Sequence, residues 1–189
     1  MKQLFYILPI LCFINLSPSS AQDTLHVTEA PMLMSKGTEN GFTVIIPQVH
    51  AKEIATVWKK YIRQGVSKTI IEEEEGEYQV KGTTLVNISA KPMNVYAQIK
   101  DMETSVRLTA YFTEDDSTFI SSSVNAEKGH AAEKYVRDFG QVQYRLAVEH
   151  EVQVETKKLA EMEDEKENGS KTLRLCCKRK IKTIQNLQQ

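Results

Sequence analysis

Cysteine is close to absent, with three residues in a chain of 189, and one of them, Cys12, lies in the apolar run that opens the sequence. The other two, Cys176 and Cys177, are too few to hold a fold together in the manner of a disulfide-rich secreted domain. As sequence neighbours they are also poorly placed to bridge each other. A disulfide wants its Cα atoms about 5.5 Å apart, and a trans peptide holds neighbours at about 3.8 Å. Glycine is sparse, and its eight residues are scattered singly, which leaves no Gly-rich phosphate loop and no dinucleotide fingerprint. An excess of positive charge is missing as well: the formal net charge of −1 gives no global pull toward nucleic acid. After residue 21 no apolar run approaches the ~20 residues that a membrane-crossing helix needs.

What is present first is a leader. Lys2 supplies a positive start, Leu4 to Leu16 an apolar run, and Ser19-Ser20-Ala21 the small residues before Gln22. That order predicts a cleavable secretory signal peptide over residues 1–21 and an exported chain, periplasmic or extracellular, with no transmembrane anchor after cleavage. Pro9 argues against a buried helix here. Cys12 sits inside the run, preceded by Pro9-Ile10-Leu11, where a lipoprotein would carry its cysteine at the end of the run. Cleavage leaves 23 basic and 25 acidic residues, a net charge of −2. The remaining length, about 168 residues, suits one domain with an extension.

Residues 22–40 carry turn formers without sustained periodicity and read as a lead-in segment. Gly41 to Val49 is a β-branched strand, and Pro47 implies an edge or a strand end. From Ala51 the period changes: Ile54, Val57, Trp58, Tyr61 and Ile62 fall on one helical face, with Lys52, Glu53, Lys59, Lys60 and Arg63 opposite. Gly65 is placed to stop this helix. Strands are then expected at Lys68 to Glu74, Tyr78 to Lys81, Thr84 to Ser89, Met93 to Lys100 and Ser105 to Thr113, with a short one at Thr118 to Ser122. Met93, Val95, Ala97 and Ile99 alternate with polar neighbours, as do Val106, Leu108, Ala110 and Phe112. One wet face and short links imply antiparallel pairing, because parallel neighbours need a long crossover.

Asn125 is placed to cap a second helix whose stripe runs through Ala132, Tyr135, Val136, Phe139, Val142, Leu146 and His150. Helical character extends through Val152, Val154 and Leu159 to Glu167. About 40 residues at 1.5 Å each give ~60 Å, twice the width of a small domain, so the end must project or bend. The expected class is α+β: a two-layer antiparallel sheet with one short amphipathic helix and a long C-terminal helix, ferredoxin-like or helix-grip-like. The division is a signal peptide (1–21), a lead-in (22–40), an α+β domain (41–150), a projecting charged helix (151–167) and a basic tail (168–189). In that tail Gly169 permits a turn. The basic residues Lys171 to Lys182 would then fold back on the acidic stretch Glu161 to Glu167 as a helical hairpin. A disordered tail is the competing expectation.

The leader ending Ser20-Ala21-Gln22, the Val57-Trp58-Lys59-Lys60-Tyr61 helix, the Asn94-Val95-Tyr96 strand and the long charged C-terminal helix together resemble uncharacterised exported proteins of Bacteroidota-type bacteria. The resemblance covers about residues 41–167. It implies a periplasmic or outer-envelope location and carries no activity and no catalytic residue. In such proteins the charged helix runs on in one register, whereas this chain changes character at Asn168-Gly169.

Catalytic constellations are not found. His26, His50, His130 and His150 form no His-Glu-x-x-His, and Glu127-x-x-His130 stands as a single copy. No Gly-x-Ser-x-Gly elbow accompanies Ser121-Ser122-Ser123, which reads as a turn. Glu72 to Glu75 lack the spaced offsets of a calcium loop and read as a solvated strand end. Trp58, among apolar neighbours at helical spacing, reads as core and not as a sugar platform. No catalytic, cofactor-binding or metal residues are assigned, and no cofactor is expected. The reading is a non-enzymatic exported envelope protein that self-associates or binds an envelope partner through residues 150–167. The alternative is a carrier of an apolar ligand between sheet and long helix. Filled packing at Val95, Ala97, Val106, Leu108, Ala110 and Phe112 would favour the first, and a gap there the second.

Overall fold

The computed structural model describes residues 25–63, 70–74, 76–115 and 117–186; the leader and Gly65 lie outside them. Eight elements follow in order: β1 (Val27–Met34), β2 (Gly37–Pro47), α1 (Ala51–Tyr61), β3 (Ile70–Glu74), β4 (Glu77–Thr83), β5 (Met93–Asp101), β6 (Ser105–Thr113) and α2 (Ala126–Asn186). The strands form one antiparallel sheet in the order β1-β2-β6-β5-β4-β3. This is an α+β fold. Strands β3 to β6 form a meander and β2 joins it beside β6, so of the two expected topologies the order fits the helix-grip one. A ferredoxin-like sheet needs βαβ crossovers with parallel neighbours, and every pair here is antiparallel.

The inner face of the sheet builds the main core. Phe42, Val44 and Ile46 of β2, Val95 and Ala97 of β5, and Val106, Leu108, Ala110 and Phe112 of β6 are all completely buried. Helix α1 covers β5 and β6, and the first part of α2 covers β2 and β1. Trp58 is the hinge of this packing: fully buried, its ring lies 4.9 Å from Phe139, edge on, and 6.0 Å from Tyr61. Edge-to-face rings at such spacing add to the burial of a large apolar surface. Asn125 caps α2 as expected, its side-chain oxygen accepting the Lys128 N–H at 3.0 Å.

Several expectations are corrected. Residues 27–40 are not a lead-in: they form β1 and the start of β2, paired from Val27↔Val44 to Met34↔Gly37. Glu29 and Pro31 mask the alternation, and an edge strand tolerates a proline because one side of its backbone needs no donor. Pro47 is the last residue of β2, a strand end. Thr84 to Ser89 is a turn, with the Ile88 and Ser89 amides donating to Leu85 O at 2.7 and 2.9 Å. Leu85 and Ile88 are both buried, and i, i+3 spacing brings them to one side in a turn but to opposite sides in a strand. Thr118 to Ser122 contributes only a bridge, Thr113↔Phe119. Residues 168–186 neither turn back nor lie apart as a tail, because α2 continues unbroken to Asn186. Gly169 sits in mid-helix with open space around it, so it costs the helix a little without stopping it.

Candidate functional site

Three places outside the main core gather polar or exposed groups. The first is a groove where α2 leaves the domain. Gln48 turns the chain into α1 with a positive φ of 59°, held by its N–H to Thr104 O at 2.9 Å and its side-chain amide to Glu151 at 2.7 Å. Asp101 accepts the Ala51 N–H at 2.7 Å at the start of α1. The groove, about 310 Å³, is walled by the apolar Val49, Ile54, Val57, Leu146 and Ala147 and by the polar Gln48, Glu53, Gln143 and His150.

The second is a small core on the outer face of the sheet, formed by Met34, Tyr96, Tyr111 and Phe119 with Met32 against them. The tip of the β1–β2 hairpin curls over this face. Gln98 of β5 donates to Leu33 O at 3.0 Å, and Ser35 donates its amide to Glu77 of β4 at 3.2 Å. Glu77, itself buried, also accepts from Gln98 at 3.1 Å. Gly41 opposes Tyr111 across the ladder, and a Cβ there would stand 2.6 Å from the Tyr111 ring, so the ring lies where only glycine leaves room. Burial, and then the Glu77 carboxylate, push the Tyr111 hydroxyl up to about 12. That hydroxyl has no hydrogen-bond partner among the described residues. The outer-face core was missed in the sequence because the hairpin that covers it was not recognised; Tyr96 and Tyr111 at matched outward positions were the available signal.

The third is α2 beyond the domain. Every residue from Glu149 to Lys180 is exposed, at 1.5 Å per residue a rod of about 48 Å. Ion pairs line it at helical spacing, Lys158–Glu155 at 2.7 Å and Lys171–Glu167 at 2.8 Å. Large apolar side chains stand in water along it: Leu159 and Met162 are 57% exposed and Leu173 68%.

The candidate residues of the sequence do not converge. His26, His50, His130 and His150 are all exposed; His26 precedes β1, His50 precedes α1, and His130 and His150 stand twenty residues apart on α2. Among the described residues no three His, Cys, Asp or Glu side chains gather to hold a metal ion. Ser121 and Ser123 bond each other at 2.9 Å in the turn before α2. Nearby, Glu114 is held below the usual carboxylate range by Lys128, with a further bond from Ser89, and this pair ties α2 to the loop after β6. Of the acidic run, Glu73 meets Lys59 at 3.3 Å. Tyr135 donates to Tyr61 O at 3.3 Å, and its hydroxyl pKa is raised by burial and then by Tyr61. Cys176 and Cys177 are exposed on the rod. Among the described residues no helix is long and apolar enough to cross a membrane. Comparison with known protein families, with characterised proteins and with solved structures finds no match for this chain.

Proposed function

We propose that this chain is an exported, non-enzymatic protein of the cell envelope whose small α+β domain presents the distal half of α2 as a rod for self-association. One observation carries the reading: the segment from Glu149 to Lys180 keeps helical form while fully solvated, with Val152, Leu159, Met162, Leu173 and Leu175 unburied. Soluble proteins rarely hold so many large apolar side chains along one free element without a partner for them. The carrier reading needs space at Val95, Ala97, Val106, Leu108, Ala110 and Phe112. These are completely buried in the same core as Trp58 and Phe139, so the filled packing supports the interaction reading.

Sedimentation of the full chain against Leu159→Asp/Met162→Asp tests it. Concentration-dependent association that the double variant loses, with the domain's melting unchanged, is the expected result; a monomer at every concentration overturns the proposal. For export, N-terminal sequencing of the secreted fraction should begin at Gln22, and a soluble cytoplasmic product retaining Met1 overturns that part.

A further inference from the structure

We infer that the partner of the rod is a second copy of this chain lying antiparallel to it, in a register centred between Glu167 and Asn168. The inference deepens the proposed self-association and rests on it. Its first support is the heptad seam. Val152, Leu159, Lys166, Leu173 and Lys180 recur every seven residues, and Val148, Glu155, Met162, Gly169 and Cys176 recur between them at the alternating three and four spacing of a coiled-coil core. Val154 and Leu175 lie off this seam. The spacing continues on both sides of the composition change at Asn168, which the unbroken helix makes physically possible.

Orientation follows from the three charged seam residues. In a parallel pair Glu155 meets Glu155, Lys166 meets Lys166 and Lys180 meets Lys180, three like-charged layers in the core. In the antiparallel register each of these is relieved at once. Leu159 faces Cys176 of the second copy, Met162 faces Leu173, Glu155 faces Lys180, and Lys166 lies over Gly169, where no Cβ obstructs its stem and nothing of the same chain stands within 4 Å.

The charge along the rod gives a second, independent support. Residues 149–167 hold eight acidic and three basic side chains, a net of −5, and residues 168–186 hold six basic and no acidic ones, a net of +6. Parallel copies set like against like over the whole length. Antiparallel copies set each acidic half against a basic half, and of the antiparallel registers that the heptad spacing allows, one is centred on the boundary between the halves, so packing and charge are compatible in that register. In that register the second copy's Asn186 falls opposite Glu149, where α2 leaves the domain, so the overlap takes up the exposed rod without driving it into the partner's sheet.

The test uses thiols already near the seam. In the full chain carrying Cys12→Ser/Cys177→Ser, the two Cys176 side chains are ~26 Å apart in the antiparallel pair, seventeen residues along the rod from opposite partners, so mild oxidation should give no covalent dimer. Adding Leu159→Cys places a new thiol against Cys176 of the second copy, and oxidation should then give a covalent dimer whose bridge maps between positions 159 and 176. A bridge between the two Cys176 residues would mean a parallel pair and overturn the orientation while leaving self-association standing. A monomer by sedimentation before oxidation would overturn self-association itself. The charged layer gives a check that needs no cross-link: Glu155→Lys should weaken dimerisation about tenfold or more, one or more powers of ten in the dissociation constant. Lys180→Glu in the same chain should restore it. Failure of that rescue, or association that strengthens at high salt, overturns the antiparallel register.

Discussion

Helix α2 is two different objects joined end to end. Up to Ala147 its backbone is held by what lies under it: Ala132, Val136 and Phe139 are completely buried against the sheet and α1. From Glu149 to Lys180 every residue is exposed, with Gln48 reaching only as far as Glu151, and local spacing of charges, such as Lys158–Glu155 and Lys171–Glu167, takes the place of packing. Each such exposed pair contributes little to stability and is screened by salt. The difference teaches that one continuous helix can be fixed by tertiary burial at one end and left dependent on a partner at the other. The sequence marks the change by a rise in charge and a thinning of the apolar stripe, not by a helix stop.

The largest expected effect breaks the buried end. Trp58→Ala removes the ring that joins α1 to Tyr135 and Phe139 of α2 and packs on Tyr61 beside it, and should lower stability by about 3 to 5 kcal/mol in chemical denaturation. An unchanged transition midpoint would mean that the proximal part of α2 does not depend on that core. Next comes Gly129→Ala, at the start of the same helix. A Cβ at Gly129 would meet Ser122 Cα at 2.6 Å and Ser122 N at 2.6 Å. These are backbone atoms that cannot swing aside, so a loss of about 1 to 3 kcal/mol is expected in the same measurement. A neutral result would show that the turn before α2 yields easily.

Raising the pH should separate the two ends without any mutation. The Tyr111 pKa of about 12 in the folded domain lies above its unfolded value of about 10. Its contribution is therefore complete below pH ~10 and is lost as the pH climbs toward 12. Tyr135 is shifted in the same direction by burial. Unfolding followed by tryptophan fluorescence should thus shift to lower denaturant over that window, and Tyr111→Phe should remove part of the shift. A midpoint independent of pH between 10 and 12 would contradict it.

The smallest effect lies at the far end. Gly169 has nothing within 4 Å of its would-be Cβ, so Gly169→Ala should add about 1 kcal/mol to local helix stability. Far-ultraviolet circular dichroism should gain amplitude while the domain's denaturation midpoint stays put. A shift of that midpoint would show that the rod and the domain are one cooperative unit after all.

Alternation and period by themselves determined the α+β class, the α1 face with Trp58 inside, the pairing-competent strands β5 and β6, and Asn125 at the start of α2. These follow from the fixed geometry of side chains on a helix or a strand, which holds before any long-range contact forms. Tertiary structure alone decided the rest. Whether Val27 to Asn40 pairs with a strand depends on β2 being beside it, and Glu29 and Pro31 hide that from any local reading. Leu85 and Ile88 make a turn because both find the same core. The covered outer face exists only because the hairpin tip reaches Gln98 and Glu77, sixty-five and forty-two residues away from Leu33 and Ser35. Gly169 carries the opposite lesson. A glycine signals a helix end when the chain has somewhere to turn, and here the helix runs through it because its flanks, from Ala126 to Asn186, are helical on both sides.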